Sequence, residues 1–92
     1  MGLNFTPEPI NSFKEVDLSG VSLPSIVIYK NPKDYPGECV ARVWSLDRPT
    51  DTIMVRNTVE ELMAEVRGEY LDAYFIPSCD ADDEKIVGTY IL

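Results

Sequence analysis

Apolar residues in this chain keep two different rhythms over three segments. Between Ser25 and Arg56 they come in short runs and alternations, between Val59 and Val66 they recur at helical spacing, and beyond Gly68 the strand-like runs return. "SIVIYK" (Ser25 to Lys30) is a strand, with β-branched and aromatic residues set between a proline and a turn cluster. That cluster, "NPKDYPGE" (Asn31 to Glu38), holds two prolines and Gly37 and predicts a long hairpin loop. "CVARVWSL" (Cys39 to Leu46) alternates, which places Arg42 and Trp44 on one side and Cys39, Ala41 and Val43 on the other. The small-residue side is the one expected to meet a helix. "DRPT" (Asp47 to Thr50) predicts a turn, and "DTIMVR" (Asp51 to Arg56) a short third strand.

In "NTVEELMAEVRG", Val59, Leu62, Met63 and Val66 fall at i, i+3, i+4 and i+7, one face of an α-helix. Thr58 and Glu61 form a capping-box pattern at its start, and Gly68 predicts a left-handed stop. "YLDAYFIPS" (Tyr70 to Ser78) and "EKIVGTYIL" (Glu84 to Leu92) read as two further strands, with Leu71, Ala73 and Phe75 on one face of the first. The expected fold is therefore α+β, a small antiparallel sheet in the order β-β-β-α-β-β with one helix packed on one face. Residues 1 to 24, with three prolines and no sustained period, predict an irregular arm, with a short strand or turn around Phe13 to Leu18, ahead of a single domain over 25 to 92. "EKIVGTYIL" is expected as an exposed edge strand, open to a homodimer or covered by the arm.

Ninety-two residues with 45% apolar and 26% charged composition make one globular domain. The opening "MGLNFTPEPINSF" lacks a basic segment followed by an apolar run, and no run approaches the roughly 20 residues that cross a bilayer, so a cytoplasmic location is expected. Charge refines the picture. From Asn57 to Glu84 there are nine acids and one base, so this segment carries the whole net charge of −8 while the remainder sums to zero. Such a surface repels nucleic acid, which is held by lysine and arginine, and attracts a host protein with a basic surface. Solubility alone is the competing explanation for the same acids.

The chemistry available is narrow. The chain has no histidine, its two cysteines, Cys39 and Cys79, are not in a CxxC pair, and its five glycines are isolated, so no nucleophile-base pair, metal set or phosphate loop can be assembled from motif. A calcium loop starting at Asp80 would put Lys85 and Ile91 where glycine and glutamate are required. No enzyme activity, cofactor or metal is expected. The candidate binding residues are the acids Glu61, Glu65, Glu69, Asp80, Asp82, Asp83 and Glu84, with Tyr35, in a loop, and Trp44, beside Arg42, as aromatic anchors next to them.

At "IVIYKNPKDYPGECVARVW" and "PTDTIMVRNTVEELMAEV" the chain resembles a group of short uncharacterised proteins of Gram-positive bacteria and their phages, built around an IVIYK-type strand, a DYP turn and a VAR strand. The likeness supplies the context of a phage or mobile-element accessory protein; the acidic segment adds the expectation that it binds or inhibits a host protein, with one that handles nucleic acid as the natural target of such a face. "NTVEEL" after three strands is also similar to the partial fold of HicB antitoxins, although "DRPT" replaces the usual proline-glycine turn and no DNA-binding tail follows Leu92. That likeness implies an antitoxin module, and a carboxylate- or metal-dependent hydrolase is the remaining alternative.

Overall fold

A computed structural model describes residues 8–78 and 85–92. Five strands form a single antiparallel sheet: β1 (Pro24–Lys30), β2 (Cys39–Ser45), β3 (Arg48–Arg56), β4 (Tyr74–Pro77) and β5 (Ile86–Ile91). One helix, α1 (Val59–Glu69), joins β3 to β4, and a single 3-10 turn (Phe13–Glu15) lies in the N-terminal arm. The small antiparallel sheet with one helix is the predicted α+β architecture. Its spatial order is β3-β2-β1-β5-β4, so the chain order of strands is not their order across the sheet.

The helix produces that rearrangement. It leaves one edge at β3 and delivers the chain to the opposite edge, where β4 begins, so that β5 returns into the gap beside β1. β5 is therefore an interior strand and not the exposed edge expected from its sequence. The edges are β3 and the four-residue β4, which ends at Pro77, a residue tolerated where no further ladder bond is needed. The arm reaches β3, where the Ile10 amide donates to the Ile53 carbonyl at 2.8 Å.

Register on β1 and β2 pairs Ile26 with Val43 and Ile28 with Ala41, which gathers the apolar residues on the α1 side. Leu62 and Val66, one turn apart on α1, are fully buried against them, together with Met54, Cys39 and Tyr90. Phe13 from the arm closes this core at 3% exposure and packs at a tilt against Tyr70 with ring centroids 5.7 Å apart. Arg56 ties the layers together: its Nη2 donates to the Asn11 carbonyl at 2.7 Å and to Glu65 Oε2 at 2.6 Å. The arm's turn has its own capping box, in which Lys14 N–H donates to Ser12 Oγ and Ser12 N–H to Glu15 Oε2.

Local signals hold where they concern termini, with exceptions. Thr58 Oγ1 accepts from the Glu61 amide at 3.2 Å, which is the Thr58 half of the predicted capping box. Gly68 is not the stop: α1 runs through it to Glu69, and the Tyr70 amide still donates to the Val66 carbonyl. Leu71 is 85% exposed in a turn, so it does not share a strand face with Ala73 and Phe75. The β2–β3 turn is shortened to Leu46 and Asp47, with Leu46 at φ 56°, and Arg48 to Thr50 join β3. Pro49 is accommodated because β3 is an edge strand and the ladder is irregular there.

The far side of the core depends on a glycine and an aromatic ring. A Cβ at Gly88 would overlap the Phe75 ring and stand 2.9 Å from the Ile76 carbonyl oxygen, so only glycine lets Phe75 lie across β5. That ring packs at a tilt against Tyr90, centroids 4.9 Å apart, and the Tyr90 hydroxyl is buried with no hydrogen-bond partner among the described residues. A buried hydroxyl without a partner costs stability. Two outcomes are expected in urea denaturation: Tyr90→Phe raises the unfolding free energy by about 1 kcal/mol by removing that hydroxyl, and Gly88→Ala lowers it by about 1–3 kcal/mol through overpacking.

Candidate functional site

Among the described residues no helix lies over the face of the sheet opposite α1, and strand alternation places Tyr29 and Trp44 there. Alternation on β2 turns Val40, Arg42 and Trp44 away from the core, and register on β1 sets Val27 opposite Arg42 and Tyr29 opposite Val40. Trp44 Nε1–H, on β2, donates to the Tyr29 hydroxyl of neighbouring β1 at 3.2 Å. Between Arg42 and Trp44 the β2–β3 register shifts, leaving Thr50, Asp51 and Thr52 opposite Val43 alone. Side chains repair the gap: Thr50 Oγ1 donates to the Val43 carbonyl and Arg42 Nη1 to the Thr50 carbonyl, both at 2.7 Å. Arg42 is thereby held toward β3.

The 31–38 loop folds over the same face. Asn31, at φ 54°, closes it by accepting from the Gly37 amide at 2.7 Å, while its own amide donates to the Glu38 carbonyl. Gly37 sits at φ 80°, a conformation that glycine adopts without strain. This closure brings Tyr35 to the sheet, and a groove of about 240 Å³ lies between Tyr35, Pro32 and Asp34 on the loop and Tyr29, Arg42, Trp44 and Pro49 on the strands. Farther along the face, Tyr74 (70% exposed), Ile76 (46%) and Ile91 (44%) stand in solvent. An apolar strip on an open sheet face is a recurrent mark of an interaction surface.

The predicted binding residues divide between the two sides of the sheet. Tyr35 and Trp44 come together in the groove. Glu61, Glu65 and Glu69 lie on α1, on the other side, with Glu61 and Glu69 exposed and Glu65 paired to Arg56. The helix acids Glu61, Glu65 and Glu69 are therefore not beside the aromatic anchors, because α1 covers the core face and Trp44 alternates onto the other. Asp80, Asp82, Asp83 and Glu84 lie outside the described residues, as does Cys79. Sequence reading overlooked Tyr29, Asp34 and Pro49 as neighbours of Trp44. The period-2 phase of β1 carried a signal for Tyr29, whereas the loop closure that supplies Asp34 left none.

Among the described residues no cluster of three acid or cysteine side chains could hold a metal ion, and no helix is long and apolar enough to cross a membrane. Cys39 is a free, buried thiol whose Sγ–H donates to the Asn57 carbonyl at 3.8 Å. Compared with protein-family models, curated proteins and solved structures, the chain matches none.

Burial pushes the Cys39 thiol above its ordinary range, and it does the same to the phenols of Tyr70 and Tyr90. Glu69 adds to the effect at Tyr70. Each group ionises more easily in the unfolded chain than in the folded one. The stability it contributes is complete below the unfolded pKa and is lost as pH rises through the folded value. The unfolding free energy is therefore expected to fall from about pH 8.5 upward, where free thiols begin to ionise, and Cys39→Ala should delay the onset of that fall. Urea midpoints measured between pH 7 and 11 check both.

Proposed function

We propose that the chain is a non-catalytic protein-binding module whose partner carries a basic surface. The observation that supports this reading is the open sheet face, which carries the Tyr29, Tyr35 and Trp44 groove and, on β4 and β5, the exposed Tyr74, Ile76 and Ile91. Aromatic rings of this kind anchor interfaces because they bury large areas at small entropy cost. Charge restricts the partner: with −8 overall and Glu60, Glu61, Glu69 and Asp72 exposed on and just beyond α1, an acidic protein or a nucleic acid is repelled. In its fuller form the proposal makes the module an accessory protein of a phage or mobile element that inhibits a host protein, one that handles nucleic acid.

The test is a pull-down with tagged protein from a Gram-positive lysate at low and high salt, run beside two multiple variants. One, Tyr74→Ser with Ile76→Ser, removes exposed apolar anchors; the other, Glu60→Lys with Glu61→Lys and Glu69→Lys, reverses helix charge. A basic partner that is retained by the unmodified chain, lost with the sheet-face variant and weakened by salt is the expected result. A partner indifferent to salt and to both variants overturns the proposal.

A further inference from the structure

We infer that the groove between the 31–38 loop and Trp44 receives a single cationic side chain, lysine or arginine, from a basic segment of the partner; this rests on the protein-binding reading above. Three aromatic side chains, Tyr29, Tyr35 and Trp44, line one recess of about 240 Å³ over the apolar floor of Val40. Aromatic faces attract a cation through their quadrupole, and they do so most strongly where water is excluded. The volume falls below the 300–1,000 Å³ typical of small-molecule sites, which suits one long side chain and not a substrate. Trp44 has already committed its indole N–H to Tyr29, so its ring face remains for the occupant.

The two charges that line the groove act in opposite senses on such an occupant. Asp34 lines it on the loop side and makes no ion pair among the described residues. Arg42 also lines it, but its guanidinium is drawn toward β3 by the Thr50 carbonyl. Its like charge opposes a cation. The inference therefore makes a signed prediction: neutralising Asp34 weakens binding, and neutralising Arg42 strengthens it.

Trp44 is the only tryptophan in the chain, so its emission reports on this groove and not on the acidic helix. The probes are a nonapeptide of alternating glycine and arginine and its counterpart with citrulline, the neutral isostere, titrated at physiological salt. Binding is followed in parallel by Trp44 emission and by anisotropy of the labelled peptide. The arginine peptide is expected to change Trp44 emission saturably and the citrulline peptide to leave it unchanged. Tyr35→Leu, which keeps bulk but removes the ring, should weaken binding about 2- to 30-fold, and Asp34→Asn should weaken it as well. Arg42→Gln should tighten it.

If the arginine peptide binds by anisotropy without a Trp44 response, and binding is lost on Glu60→Gln, Glu61→Gln and Glu69→Gln together, the groove inference fails while the basic-partner reading stands. Tighter binding with Asp34→Asn and weaker with Arg42→Gln would mean that the groove takes an anion, which also overturns it. So would the absence of any saturable binding by the arginine peptide.

Discussion

Everything in this fold depends on how an eleven-residue helix, about 16 Å long, covers a five-stranded sheet whose outer strands stand about 19 Å apart. It can cover one face only. The face it takes is the one where Ile26, Ile28, Ala41 and Val43 meet Leu62 and Val66, and small residues such as Ala41 let the helix lie close. Phe13 from the arm and Phe75 from β4 fill the space that the helix leaves at its flanks. Arg56 then links arm, sheet and helix through two hydrogen bonds.

The other face has to bury its apolar residues without a second layer. Val27, Val40 and Ile53 are all buried on this face, Val40 in the groove that the 31–38 loop closes. Covering them brings Tyr29, Trp44 and Tyr35 together, so the groove is a by-product of solving that burial locally. Its shape relies on two irregularities, the register shift beside Val43 and the Asn31 closure of the loop, each completed by side-chain hydrogen bonds. Both are positions where the backbone departs from the regular ladder to aim a side chain.

The division of charge follows from the same architecture. The described acids of α1 lie on the other side of the sheet from the groove, so Asp34 and Arg42 are the charges that line it. Net acidity governs which proteins approach, whereas Asp34 and Arg42 govern what the groove accepts.

Local order was legible in the sequence wherever the signal was itself local. The alternation in "CVARVWSL" correctly turned Trp44 and Arg42 away from the helix, the 3.6-residue spacing placed α1, and Thr58 marked its start. Tyr35 and Trp44 could be named singly from their types and positions. What the sequence left open required knowledge of which segments meet. β5 looked like an edge because no periodicity records that a helix carries the preceding strand to the far side of the sheet. Gly68 looked like a stop because propensity cannot register that the Tyr70 amide still reaches the Val66 carbonyl. Placing Tyr35 and Trp44 in one groove, with the helix acids behind the sheet, was decided by tertiary structure alone. Side-chain type and spacing act over a few residues, whereas strand pairing joins positions dozens of residues apart.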